Sequence, residues 1–278
     1  MTLPITGNSS SSQKFASILR NLIRQVHGLE TSNQSDKSSS TIAPRHMVNA
    51  IPSLGQIGSK KGYKFRPGRQ EDAHEFLIHL IDAMQDGELK AAGVDPTARG
   101  WRDSLPIPRL DETTFIHRVF GGYLRSQVRC TKCSYRSNTY DPFLDLSLEV
   151  SKNSCSSILT AFSEFSRKER LDEQNQWRCS GCKKHVCATK QLTVFRPPLS
   201  LCIQLKRFTY GVGSYGGFHK KMSHMSGGGG GKINKSIEFP AKLALPLSDG
   251  RKCEYNLTGI IVHVGGSSSS GQIGRAHV

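Results

Sequence analysis

Two Cys-x-x-Cys pairs, Cys130-Thr-Lys-Cys133 and Cys179-Ser-Gly-Cys182, separated by residues 134–178, constrain this chain more than any other feature. Each pair can present both sulfurs from one tight turn. Four thiolates are what a tetrahedral Zn2+ site requires, so the metal would tie together two distant stretches of chain. Strand-like sequence flanks both pairs: Tyr123-Leu-Arg-Ser-Gln-Val-Arg129 leads into the first, Tyr135-Arg-Ser-Asn-Thr-Tyr140 leaves it, and Gln191-Leu-Thr-Val-Phe195 follows the second. The spacing predicts two zinc knuckles at hairpin tips, with Cys130, Cys133, Cys179 and Cys182 as ligands of a structural zinc. His185 and Cys187 are the second choice, since using them would leave the Cys130 pair idle. Such ribbons serve nucleic-acid binding, protein binding and scaffolding alike, so the site by itself names no function.

Eight cysteines in 278 residues, half of them in metal spacing, fit a reducing compartment better than a disulfide scaffold. The start of the chain has neither the basic stretch nor the apolar run of a signal peptide, and the longest apolar run, Gly259-Ile-Ile-Val262, is far too short for a bilayer. The expectation is a monomer in the cytoplasm or nucleus, nucleolus included, without a membrane. A formal charge of +16 raises the question of nucleic acid. Lysines and arginines are nevertheless scattered through every segment, with no basic helix or RGG run, so nucleic acid is not expected as a direct ligand.

Helical periodicity dominates the first part of the chain. Ile18, Leu19, Leu22, Ile23 and Val26 recur at helical spacing, Ala43–Ile51 reads as a short helix, and Gln70–Gln85 carries an apolar face of Ala73, Phe76, Leu77, Leu80, Ile81 and Met84. Glu71 and Asp72 suit the positive end of that helix's dipole. A connection is expected over 87–108, and the strand region is expected to begin at Asp111. Asp141–Val150 and Leu199–Phe208 alternate as half-buried strands, Ser156–Phe165 reads as a helix, and Ile237–Leu247 and Tyr255–Val264 supply further strands. The polar residues 1–13 are expected to be disordered, the serine-rich Thr31–Thr41 to be a loop, and Gly227–Gly231 a flexible insertion. Helices first and strands later argue for an α+β fold.

The blocks Gln70-Glu-Asp-Ala-His-Glu-Phe76, the paired Cys-x-x-Cys, Ser200-Leu-Cys-Ile-Gln-Leu-Lys-Arg-Phe208, Phe239-Pro240 and Tyr255–Gly265 follow one another as they do in the ubiquitin-specific proteases, which this chain resembles over about Ile42 to Gly271. The resemblance implies a papain-like cysteine-protease architecture of thumb, palm and fingers. Residues 14–110 would form part of the helical thumb, 111–195 the zinc-ribbon fingers and 196–272 part of the palm. The implied activity is thiol-dependent deubiquitination, hydrolysis of isopeptide or peptide bonds after ubiquitin's C-terminal glycine, with ubiquitin and ubiquitinated proteins as partners. By the same resemblance Asp72 and Glu75 would meet ubiquitin's arginine-bearing tail, Phe208 would line the tail channel, and Gly265–Gly271 would be a mobile blocking loop.

The chain departs from that family at both reactive positions. No cysteine precedes Cys130, so the Asn-x-x-Cys box of the nucleophile is missing, and Gln272 stands where the family's Gly-His-Tyr places the catalytic histidine. Cys155, Cys187, Cys202 and Cys253 are not credible substitutes, and neither His263 nor His277 matches the pattern. No catalytic residue is therefore assigned, and the polypeptide as written is expected to be an inactive fragment. Ile273-Gly-Arg-Ala-His-Val278 reads as the translated start of a widely used sequencing adapter, so 273–278 is expected to be a non-native tail. The rival expectation is a non-catalytic ubiquitin-binding module that its basic charge recruits to a nucleic-acid-rich environment.

Overall fold

A computed structural model describes residues 17–18, 20–21, 45–54, 65, 71–96, 98, 100–105, 109–208, 232–267 and 270–276. The polar start, the serine-rich 31–41 stretch, the glycine run at 227–231 and His277 lie outside these residues. So does most of the first expected helix, of which Ser17, Ile18, Arg20 and Asn21 are helical. The chain divides into two compact units, Met1–Arg118 and Val119–Val278. No helix among the described residues is long and apolar enough to cross a membrane.

In the first unit, α1 (Arg45–Leu54) and α2 (Ala73–Ala91) meet over a small core of Met47, Phe65 and Ala83, flanked by Ile18, Ile51, Phe76 and Leu80. Helix α2 begins where Asp72 caps it, the carboxylate accepting the backbone N–H of His74 at 2.8 Å and of Glu75 at 3.1 Å, which satisfies two of the four orphan donors of a helix start. It runs past the expected end at Gln85. Gly87 is buried inside it, and the stop comes at Gly93, whose φ of +80° permits a left-handed turn in which Val94 N–H bonds to Leu89 O and Gly93 N–H to Lys90 O. That is a Schellman motif, and it needs glycine at this position. The buried stripe matches the expected apolar face at Ile81 but otherwise differs: His79, Ala83, Asp86 and Leu89 are buried with it, while Ala73, Phe76, Leu77, Leu80 and Met84 are half-buried. His79 packs edge-on to Phe65 at 5.2 Å.

The expected start of the strand region at Asp111 is corrected by the structure, because Leu110–Thr113 is a single 3-10 turn and Phe115–Phe120 is α3. The reason lies in side chains distant in sequence. Glu88 of α2 accepts the N–H of Phe115 at 2.6 Å and of Ile116 at 3.4 Å, and Thr114 Oγ1 accepts that of His117, so the helix start is fully capped.

The second unit is built on a four-stranded antiparallel sheet of order β2-β1-β7-β4, from β1 (Gly122–Cys130), β2 (Arg136–Phe143), β4 (Glu169–Leu171) and β7 (Ala188–Arg196). At its base Gly122 lets the sheet close: a Cβ there would lie 2.5 Å from the Phe143 ring and 2.7 Å from Arg196 O. The alternating stretch 141–150 is not one strand. It breaks after Phe143, and β3 (Leu146–Glu149) pairs instead with β8 (Ile203–Lys206), in parallel. Leu146, Leu148 and Val150 point inward with Phe162 of α4 (Ile158–Phe165), Val194, Ile237 and Leu245 to form the main core. A Ser157–Thr160 capping box starts α4. Strands β9 (Lys242–Pro246) and β10 (Lys252–Asn256) form a hairpin, and β11 (Ile260–Ser267) pairs with β12 (Ser270–Ala276) in another. Within the stretch expected as a blocking loop over 265–271, Ser267 pairs with Ser270, 268–269 lie outside the described residues, and Gln272 sits opposite Val264.

Candidate functional site

Two structurally equivalent turns build the centre at the far end of the sheet. Cys130 closes β1 and its N–H donates to Tyr135 O at 2.9 Å; Cys179 follows β5 (Trp177–Arg178) and its N–H donates to Lys184 O at 2.9 Å. In both, the residue directly after the second cysteine takes a left-handed conformation, Ser134 at φ 57° and Lys183 at φ 60°. These two residues reverse the chain so that both thiols of each pair face one point. Sequence reasoning missed them because neither is the Gly or Asn that usually marks such a position. The second turn is closed by pairing of β5 with β6 (His185–Val186).

The turns are held against each other by contacts that do not involve sulfur. Thr131 donates through Oγ1 to Cys187 O at 2.7 Å, and the Tyr135 ring stacks over Trp177 at 6.4 Å. Gly181 permits the close approach: a Cβ there would meet Tyr135 Cβ at 2.9 Å and Cys133 Sγ at 3.2 Å. Cys130, Cys179 and Val186 are buried, with Trp177 and Cys182 packed around them.

All four sulfurs lie within 4.8 Å of one another, and Cys133 Sγ is 3.5 Å from Cys179 Sγ. Metal–sulfur bonds of ~2.3 Å in a tetrahedron set sulfurs about 3.8 Å apart, whereas a disulfide needs ~2.05 Å. The observed separations therefore fit four ligands around one ion. Cys130 Sγ also accepts the N–H of Lys132 at 3.3 Å and of Cys133 at 3.4 Å, bonds that stabilise a thiolate. The Cys133 N–H, ahead of burial working in the opposite sense, draws the Cys130 thiol down to about 6. Cys133 is held up at about 11: the Tyr135 N–H favours its thiolate, but burial and the neighbouring thiols outweigh that bond. Within the first pair, then, Cys130 is the thiol set to ionise, and a bound cation would favour the Cys133 thiolate as well. His185 is exposed on β6 and Cys187 uses its carbonyl rather than its thiol here; among the described residues the convergent group is the four cysteines.

The remaining expected site residues fall in different units. Asp72 and Glu75 occupy the N-terminal turn of α2 in the first, where Asp72 serves as the cap. Phe208, in the second, bridges to Lys232 and packs edge-on to His263 at 5.3 Å, while Lys232 Nζ donates to His263 O at 3.0 Å and also to Gly265 O. Two further cysteines lie in or beside the main core. Cys155 is fully buried and donates to Glu149 O at 3.7 Å, and burial, with the Asp145 charge nearby, pushes the Cys202 thiol up to about 11.

Comparison with known proteins adds an independent line. The family model described as ubiquitin carboxyl-terminal hydrolase matches residues 4–272. Among curated relatives, "Probable ubiquitin carboxyl-terminal hydrolase 16" of Schizosaccharomyces pombe is 37% identical over 86% of this chain and 45% of its own length. Ubiquitin carboxyl-terminal hydrolase 23 of Arabidopsis thaliana is 35% identical over 83% of this chain and 23% of its own length. The chain thus spans less than half the length of either relative. In three dimensions it is similar to the SAGA DUB module of Ubp8, Sgf11, Sus1 and Sgf73 bound to monoubiquitin, with a TM-score of 0.65 and 25% identity over 95% of this chain and 50% of that one.

Proposed function

Because the chain belongs to the ubiquitin carboxyl-terminal hydrolase family, we propose that it supplies the ubiquitin-holding scaffold of a thiol-dependent deubiquitinase, with a structural zinc in its fingers. The observation that carries this reading is the convergence of Cys130, Cys133, Cys179 and Cys182 at the end of the four-stranded sheet, in a chain whose family match runs through nearly all of it. Zinc bound there would supply cross-linking of the two turns and no chemistry on substrate, since four protein thiolates leave no open position. Sgf11, Sus1 and Sgf73 accompany the similar Ubp8 structure, and monoubiquitin is bound to it, which supports ubiquitin as the ligand here. The reducing cytoplasm or nucleus is the proposed compartment, in keeping with the eight free cysteines.

The reaction of such a scaffold is attack by a thiolate on the carbonyl after ubiquitin's last glycine, with a histidine first taking the thiol proton and then giving it to the leaving amine. Cys155 is buried, burial raises the thiol of half-buried Cys202, and Cys187 and Cys253 sit beside the second turn and on β10, respectively. Four other thiols face the metal position, and no cysteine precedes Cys130 in this sequence. The polypeptide as written is therefore proposed to bind ubiquitin without cleaving it. At the acidic turn, Asp72 and Glu75 are proposed to attract the arginine-bearing tail. Asp72→Asn separates the two roles of that residue, because asparagine caps a helix as well as aspartate does while carrying no charge.

The test is calorimetric titration of the zinc-loaded chain with monoubiquitin, alongside incubation with ubiquitin bearing a C-terminal electrophile. Measurable binding and no covalent adduct are expected, with Asp72→Asn plus Glu75→Gln weakening binding about tenfold. Absence of ubiquitin binding overturns the scaffold reading; an adduct on any cysteine overturns the non-cleaving one.

A further inference from the structure

The register of the four-stranded sheet brings together charges that the sequence keeps apart. Arg129 of β1 lies directly opposite Arg136 of β2 on one side and Thr189 of β7 on the other, and Thr189 lies opposite Arg170 of β4. Residues opposite one another share a face, so three arginines form a row across four strands, with Arg136 and Arg129 about 5 Å apart and Arg170 about 10 Å from Arg129. All three are exposed. Among the described residues none has a carboxylate within ion-pair distance. Like charges placed directly opposite one another destabilise a sheet, and this face holds no acid to offset them.

The same face carries a second feature. Two positions further along each strand come Gln127 and Asn138, bonded to each other at 2.9 Å, and two further come Arg125 and Tyr140. Tyr140 packs on Phe195 at 4.6 Å between ring centres, and these rings are 41% and 47% exposed. Two aromatic rings left in water on the face away from the main core contribute little to folding. The arginine row and the aromatic pair are about 14 Å apart along the strands. The two turns at the sheet's end add exposed Lys132, Arg178, Lys183 and Lys184.

We propose that this sheet face binds single-stranded nucleic acid, phosphates seating on the row Arg136, Arg129 and Arg170 and a base stacking on Tyr140 and Phe195. An acidic peptide would use the arginines and leave the rings idle; a nucleotide strand uses both, as a cationic track with stacking rings requires. The formal charge of +16 favours approach of the same polyanion. Sequence reading points the other way because the arginines come from three separate segments, and only strand pairing lines them up.

Fluorescence anisotropy of the zinc-loaded chain with a fluorescein-labelled oligouridylate tests the assignment. Arg129→Gln, Arg136→Gln and Arg170→Gln together should weaken binding at least tenfold and cut the slope of log K against log salt by about 2, from three lost phosphate contacts on a single strand. Arg118→Gln, Lys242→Gln and Lys252→Gln remove equal charge from exposed positions off this face and should leave affinity within twofold. Phe195→Ala should weaken binding at least fivefold with the salt slope unchanged. The arginine triple should melt no lower than the parent, since repulsion is relieved, which separates lost binding from lost folding. Equal weakening by both triples overturns the proposal. So does displacement of the RNA by polyglutamate at equal charge concentration, which would assign the face to acidic protein segments.

Discussion

Asp86 is a carboxylate in an unfavourable dielectric. It is buried on α2, its Oδ2 has no hydrogen-bond partner among the described residues, and burial, helped by the neighbouring charge of Asp82, pushes its pKa up to about 6 against the opposing pull of Lys90 and Arg102. The sign follows from linkage: a folded-state pKa above the unfolded value means that the native state holds the proton more tightly. The associated stability is fully present below about pH 4 and is lost as pH rises through about 6. Asp86→Asn should accordingly stabilise the protein at pH 8, by about 1 kcal/mol once solvent screening is discounted, and give no gain at pH 4. Urea melts of variant and parent at the two pH values check this; an equal gain at both would show that packing, not ionisation, is responsible.

At the scale of elements, the proposed zinc would hold the paired turns closed, because among the described residues little apolar packing beyond Val186, Trp177 and the Tyr135 ring lies beside the thiols. Cys182→Ser should abolish stoichiometric zinc and expose amides in β5, β6 and the adjoining ends of β1 and β7. The energy of a structural zinc is largely folding energy, on the order of 10 kcal/mol in small zinc peptides. The amides of β3 and β8, backed by the core around Leu148 and Phe162, should keep their protection. Hydrogen exchange with and without a chelator measures both, and identical protection of β5 and β6 in the two states would refute a metal-held tip. These turns were also the most legible part of the chain, since cysteine spacing is a direct geometric constraint. What stayed hidden had non-local causes. The helical start at Phe115 is set by Glu88, 27 residues earlier, and the break after Phe143 reflects a switch of pairing partner from β1 to β8. The left-handed Ser134 and Lys183 carry no side-chain signature of their conformation. The expected end of α2 at Gln85 falls short because Gly87 is accommodated inside the helix, whereas Gly93 has the positive φ that stops it.

For the whole molecule the imbalance of 38 lysines and arginines against 22 acids sets the response to salt. Two electrostatic effects oppose one another as ionic strength rises. Screening weakens ion pairs such as Arg102–Asp111, Lys206–Glu149 and Arg251–Asp249, which would lower stability. It also weakens the mutual repulsion of a chain at +16, which would raise it. Each of those pairs has at least one substantially exposed partner, and exposed pairs are worth roughly 0–1 kcal/mol, often nothing measurable. Repulsion instead is summed over many like charges, and going from 0.01 to 0.15 M salt shortens the screening length from about 30 to about 8 Å. Repulsion should therefore win, and the melting temperature at pH 7 should rise by a few degrees over that range in sodium chloride. A falling melting temperature would mean that the ion pairs dominate, and would remove charge crowding as a property of the folded chain.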